Sequence, residues 1–207
     1  MKMLILNYTY KMFTGAKFKQ RSYDTHIAHI EEFKTLDYQV RNLLIGHSLF
    51  ERFKTTPDLP NPYINNCFNA GCGGDTIPNL IYRLSFLELW NGLSCVDNIF
   101  IWIGCNDLKN KNNNINKITE LYKQLFVIIN HYFPNSKKYV FGISRKLDTN
   151  QDDINSINTE LEKLCTQTDK YKYVYFNPRE DELKDHVHFK DHVYNDLITF
   201  INFFVKK

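Results

Sequence analysis

The chain has 207 residues, a formal net charge of +3 and a charged fraction of 24%. Hydrophobic residues at 43% and aromatics at 15% exclude a disordered chain and supply enough material for a sizeable core. The lysines are scattered and often lie near acids, which excludes the basic stripe of a nucleic-acid binder.

Residues 1–6 hold only a very short apolar stretch, too short for the core of a signal peptide. No later segment approaches the roughly 18 apolar residues of a membrane span, so a cytoplasmic location is expected. Ile27, Ile30 and Phe33 recur at helical spacing and predict a helix over residues 22–36. A strand is expected over 41–45 and a second over 63–68, after the turn-rich segment 57–62. Asp75 is placed to cap a helix running to Trp90, with Ile77, Leu80, Ile81, Leu84 and Leu87 on its apolar face. The nearly continuous apolar run at 99–103 reads as a strand covered on both faces.

An Asn- and Lys-rich loop at 109–114 precedes a helix over 115–132, which Pro134 stops. Strands at 139–143 and 171–176 flank a helix at about 153–165, and a helix over 189–204 closes the chain. Strands alternating with helices in this way predict a three-layer α/β/α sandwich around a parallel sheet of about five strands. The whole of 1–207 reads as one domain, with 1–39 an N-terminal extension and leading helix packed on the core. The five cysteines, Cys67, Cys72, Cys95, Cys105 and Cys165, are odd in number and lack CxxC spacing. Free thiols in a reducing compartment fit them better than disulfides or a structural zinc site.

Four short patches carry chemistry. Ser48 lies two residues after Gly46, where a strand gives way to a turn; it is either a helix-capping serine or a nucleophile awaiting a base. Gly71, Gly73 and Gly74 allow backbone N–H groups to face an anion, either an oxyanion or a phosphate. Asn106 follows a buried strand and offers a side-chain N–H, while Asp107 reads as an anchor of the local turn. His188, with Asp185 three residues earlier, has the makings of a general base and the group that orients it. Asp185, His186, His188, Asp191 and His192 also read as a metal cluster, but no matching ligand set stands upstream. In an α/β sandwich the ends of parallel strands share one rim, so the first three patches should converge there.

In these blocks the chain resembles the SGNH, or GDSL-like, hydrolases: Ser48, Gly74, Asn106 and His188 match that family's Ser, Gly, Asn and His in chain order. The likeness covers roughly residues 40–202. It is closest from Asn69 through Leu84 and from Trp102 to Asn106, where it is most similar to the platelet-activating-factor acetylhydrolase 1B catalytic-subunit branch. The resemblance implies a flavodoxin-like fold and a serine esterase acting on a short-acyl ester of a lipid or carbohydrate. In it Ser48 is the nucleophile, and Asp185 and His188 complete the triad. The Ser48 N–H, the Gly74 N–H and the Asn106 side chain form the oxyanion hole. It implies no cofactor and no metal, a small-molecule ester as partner, and a monomer or homodimer; a thioesterase or lysophospholipase of the same family is an alternative. Two residues depart from the pattern. His47 stands where the family usually has Asp, and Cys105 replaces a small or polar residue. The first departure leaves open a catalytically inactive ligand-binding protein. Phe50, Tyr63 and Phe189 are candidates for lining an acyl pocket or for filling the core.

Overall fold

A computed structural model of the chain describes residues 13–57, 59, 64–109 and 114–205. The apolar opening at 1–6, Tyr63 with most of the turn-rich segment before it, and the centre of the Asn- and Lys-rich loop lie outside the described residues. Five strands form one parallel sheet: β1 (Asn42–Gly46), β2 (Cys67–Gly71), β3 (Asn98–Trp102), β4 (Lys137–Phe141) and β5 (Tyr171–Val174). Their order is β2-β1-β3-β4-β5. The chain therefore leaves β1 toward one side of the sheet and returns to the other at β3, and this reversal opens a crevice beyond the carboxyl ends of β1 and β3.

Side-chain alternation along the strands sorts the apolar residues into two cores. Leu43, Ile45, Ile99, Ile101 and Val140 face one layer. Its helices are α1 (Gln20–Lys34), α3 (Ile77–Leu84), α4 (Leu87–Gly92), α5 (Ile115–Tyr132) and α6 (Gln151–Thr166). Leu44, Phe100, Trp102, Tyr139 and Phe141 face the opposite layer, made by α2 (Ser48–Glu51) and α7 (Asp191–Val205). Large rings fill that second core. Trp102 stacks on Phe141 with centroids 4.7 Å apart, and Phe50 meets Trp102 edge-on at 5.6 Å. Burial of both faces explains why the 99–103 segment is almost continuously apolar.

Two elements differ from the sequence expectation. The second strand begins at Cys67 rather than at 63, because Asn65 and Asn66 form the turn that precedes it. Asn66 has a positive φ of 49°, which asparagine tolerates, and its carbonyl accepts the N–H groups of Arg41 and Asn42. Asn69 and Gly71 consequently lie within β2, and only Cys72 to Gly74 form the loop beyond it. The helix expected from Asp75 to Trp90 is two helices. Ser85 closes the first by donating its hydroxyl to the Tyr82 carbonyl, and the Trp90 indole N–H donates to the Arg83 carbonyl across the bend. The cap is Thr76, in a reciprocal box with Asn79, and not Asp75.

Asp75 is instead wholly buried against Arg83, with Arg83 Nε 2.8 Å from its Oδ2, and it accepts the Ser22 hydroxyl. Both ions are fully desolvated, so breaking the pair strands a charge. Arg83→Met should cost about 3–5 kcal/mol of unfolding free energy. Urea titration checks this, and a change under about 1 kcal/mol would contradict the ion pair's structural role.

On α1, His26 and His29 are buried, and neither ring nitrogen of His26 has a hydrogen-bond partner among the described residues. Burial, reinforced by the Arg83 charge, lowers His26 from about 6.5 to about 4, and His29 to about 2. Both are therefore neutral in the fold. Below pH ~6.5 the unfolded chain takes up protons that the folded chain refuses, so stability is present above that pH and falls as pH drops toward 4. Each histidine should contribute a slope approaching ~1.4 kcal/mol per pH unit in that range. His26 packs on Phe86 and Trp90 with centroids 5.1 and 5.5 Å away. His26→Phe should thus raise stability at neutral pH by on the order of 1 kcal/mol and flatten the acid slope, as read by denaturation at pH 7 and pH 5.

Candidate active site

The Ser48 turn is shaped by close contact between β1 and β3. Gly46 has φ +152°, and a Cβ there would stand 1.9 Å from the Trp102 carbonyl oxygen, so only glycine ends the strand this way. The His47 N–H then donates to the same carbonyl at 3.0 Å. His47 caps α2, its ring Nδ1 accepting the Leu49 N–H at 3.3 Å. Ser48 is the first residue of α2, and its hydroxyl is half-buried and faces the loop before α7.

That loop is held at both ends. Leu183 and Phe189 form an antiparallel bridge, and the Lys184 N–H donates to the His188 carbonyl at 2.7 Å. Within it Asp185 Oδ1 accepts the Val187 and His188 backbone N–H groups at 2.9 and 2.8 Å. Burial alone would raise the Asp185 carboxyl, but those two backbone donors and the His188 ring outweigh it and hold it well below the usual carboxylate range. An ionised Asp185 takes the His188 Nδ1–H, 2.7 Å from Oδ2. The other ring nitrogen, Nε2, is then the acceptor for the Ser48 hydroxyl at 2.8 Å. Arg52, one turn beyond Ser48, approaches Asp185 Oδ2 at 3.8 Å. The neighbouring His186 and His192 are exposed, and Asp191 pairs with Lys184. The structure thus brings Ser48, His188 and Asp185 into one hydrogen-bonded line.

Gly74 and Asn106 are tied to the same rim. The Cys72 N–H donates to the Gly46 carbonyl at 2.9 Å, and the Asn69 side-chain amide donates to the Phe50 carbonyl at 2.7 Å. These bonds seat the glycine loop beside the serine turn. Gly74 has φ +74°, a left-handed conformation that glycine adopts without strain, and its carbonyl accepts the Lys19 ammonium at 2.7 Å. The Asn106 side-chain N–H donates to the Asp75 carbonyl at 2.9 Å, which links the third patch to the second. Asp107 anchors the turn through the Ile77 N–H at 3.0 and 3.2 Å, and burial pushes its carboxyl up to about 7. Cys105 meets the His47 ring across the crevice, Sγ to Nε2 3.3 Å.

Several organising residues were not singled out from sequence. Arg83 sits among the apolar residues of α3, and that position on a buried stripe was the available signal. It is wholly buried and donates to the Ala70 and Gly46 carbonyls at 3.0 and 3.4 Å. Lys19 reaches the site only through tertiary packing, as does the contact of Arg52, a chain neighbour of Ser48, with Asp185. Phe50 and Phe189, candidates for an acyl pocket, are fully buried in the aromatic core beneath the site.

No protein-family model and no curated protein matches this chain. Solved structures do. A Streptococcus pneumonia protein provisionally described as a platelet activating factor superposes with a TM-score of 0.73 at 16% identity, covering 98% of this chain and 96% of its own. A GDSL-like lipase from Bacteroides thetaiotaomicron gives 0.69 at 16% identity, over 87% and 97%. A carbohydrate esterase family 3 protein from Talaromyces cellulolyticus gives 0.55 at 17%, over 77% and 92%. The parallel five-stranded sheet, its two helical layers and these superpositions agree: the chain has the three-layer α/β/α fold of the SGNH/GDSL-like hydrolases.

Proposed function

We propose that the chain is a serine esterase that cleaves a carboxylic ester through an acyl-serine intermediate. The observation that carries the reading is the Ser48–His188–Asp185 line, in which each heavy-atom separation lies within hydrogen-bond range and each proton has one consistent position. His188 Nε2 takes the Ser48 proton as the hydroxyl oxygen attacks the ester carbonyl. Asp185 stabilises the imidazolium that forms. The negative oxygen of the tetrahedral intermediate is met by the backbone N–H groups of Ser48 and Gly74 and by the Asn106 amide, which carries two N–H groups and spends one on Asp75. His188 returns its proton to the departing alcohol oxygen as the C–O bond breaks. Water, deprotonated by the same imidazole, then attacks acyl-Ser48 and releases the acid.

A short acyl group such as acetyl, on a lipid or carbohydrate alcohol, is the proposed substrate. It is supported by the resemblance to the acetylhydrolase branch and by a carbohydrate esterase among the structural neighbours. The reading takes residues 1–207 as one catalytic domain, and both helical layers contribute to the site: α2 supplies Ser48, and Thr76 and Asp107 organise the start of α3. No helix among the described residues is long and apolar enough to cross a membrane. All five cysteines are free and four are buried, which supports a reducing compartment such as the cytoplasm.

Incubation with a fluorophosphonate should add one covalent adduct to the wild type and none to Ser48→Ala, as read by intact-protein mass. A folded wild type that forms no adduct would overturn the acyl-serine mechanism and leave a ligand-binding protein on a hydrolase fold. Among the clustered histidines, His188→Ala should lower kcat for a short-chain acyl ester at least ~10³-fold, whereas His186→Ala and His192→Ala should stay within about twofold. Equal losses from all three would contradict the assignment of the base.

A further inference from the structure

The two residues that depart from the family pattern, His47 and Cys105, touch each other. They are 58 positions apart in the chain, and both are buried. His47 is on the turn that carries Ser48, and Cys105 is on the loop that carries Asn106, each immediately before the residue in question. We propose that they form a positioning bridge that fixes the Ser48 backbone N–H relative to the Asn106 amide, so that the two donors converge on one oxyanion. The proposal rests on the acyl-serine reading of this site.

The tautomer follows from the contacts. Nδ1 accepts the Leu49 N–H, so a neutral ring carries its proton on Nε2. That N–H points at Cys105 Sγ, 3.3 Å away, and the sulfur is the acceptor. Burial, with a smaller contribution from His188, holds His47 down to about 3. Burial likewise pushes the Cys105 thiol up to about 12. The bridge is therefore a hydrogen bond between neutral groups across the whole ordinary pH range, and Cys105 is not a reactive thiolate. Neither residue touches the reacting atoms.

The other ties across the crevice do not replace it. The His47 N–H to Trp102 carbonyl bond fixes the turn to β3, before Cys105 is reached. The Asn106 amide bond to Asp75 fixes the third patch to the second, not to the first. Only the imidazole, among the described residues, joins the nucleophile turn to the residue adjoining Asn106 by a side-chain contact. An error of about 1 Å in such a constellation is enough to cost ~10²-fold in rate.

The experiment is a double-mutant cycle on the full chain. Rates of fluorophosphonate labelling, kcat and KM for a short-chain acyl ester, and melting temperatures are measured for His47→Asn, Cys105→Ala and the pair. Asparagine retains a side-chain oxygen to cap α2 but is too short to reach Cys105, so it removes the bridge and keeps the cap. Each single variant should slow labelling and lower kcat by about tenfold to a hundredfold with KM changed less than about twofold, and the double variant should lose no more than the worse single. Cys105→Ser, whose hydroxyl accepts the same N–H, should recover to within about threefold of wild type. Cys95→Ser, at the exposed cysteine, is the control and should match wild type. Should His47→Asn fail to fold, the contrast between Cys105→Ala and Cys105→Ser decides the matter alone. Wild-type labelling rates in the folded variants, additive losses, or no rescue by serine would overturn the bridge while leaving the esterase reading intact. A wild type that takes no label overturns the esterase reading itself, and the bridge's role with it.

Discussion

Arg83 and Asp75 form an ion pair from which water is wholly excluded, and the geometry of the crevice depends on where that pair holds its neighbours. A buried pair of this kind does not add stability simply by being present, since desolvation offsets much of the Coulomb gain. Its value lies in direction. The Nε–H takes Asp75, and the two terminal nitrogens each donate to a backbone carbonyl, that of Ala70 in β2 and that of Gly46 at the end of β1. Two strand ends and the start of the α3 segment are thereby fixed to a single planar group, whose forked donors cannot be reproduced by lysine. The backbone carbonyl of Asp75 in turn holds Asn106. Displacing Arg83 would loosen three of the four patches at once.

The fourth patch is organised by a separate device. The His188 loop does not draw on the ion pair; it is closed by the Leu183–Phe189 bridge and by an Asp185 carboxylate that accepts two backbone N–H groups of its own turn. That arrangement puts Asp185 in a fixed place and also keeps it ionised, because the backbone donors remain whatever the state of the ring. The serine turn and the His188 loop meet at one contact, the Ser48 hydroxyl on His188 Nε2. For the proposed ester cleavage such preorganisation matters, because donors that need not reorient during reaction contribute most to lowering the barrier.

How much of this was legible in the sequence depends on the range of the interaction. Strands with apolar runs, such as Ile99 to Trp102, and helices with a sustained stripe, such as Ile115–Tyr132, are local patterns and were readable as such. The expectation that the first three patches share one rim came from parallel topology, whereas His188 was preferred to His186 and His192 by the resemblance, since nearness to Asp185 alone would favour His186. The end of β2 was placed too early, at 68, because Asn69 and Gly71 have the composition of a loop, while the hydrogen bonds that make them a strand come from β1. Asp75 was read as a cap because its chain neighbours permit that role. The partner that overrides it, Arg83, sits on the same helical unit but is buried through contacts with two strands. The His47–Cys105 contact had no local signature at all, since each residue looked like an isolated departure until the fold placed them together.

That contact changes the meaning of the histidine at position 47. A carboxylate there would also accept the Leu49 N–H, so the capping role does not distinguish the two residue types. Charge does. An ionised group in that wholly buried place would have to give up its hydration with no cation among the described residues placed to pair it. The imidazole of His47 caps the same N–H while remaining neutral, because burial disfavours its cationic form and His188 opposes it further. It also retains an N–H that a carboxylate lacks, and that donor is what reaches Cys105. A thiol is both a weak donor and a weak acceptor, and with the ring proton on Nε2 the sulfur of Cys105 serves as the acceptor. In the pair as it stands, the ring donates and the sulfur accepts, with no charge placed in the buried space between the two loops.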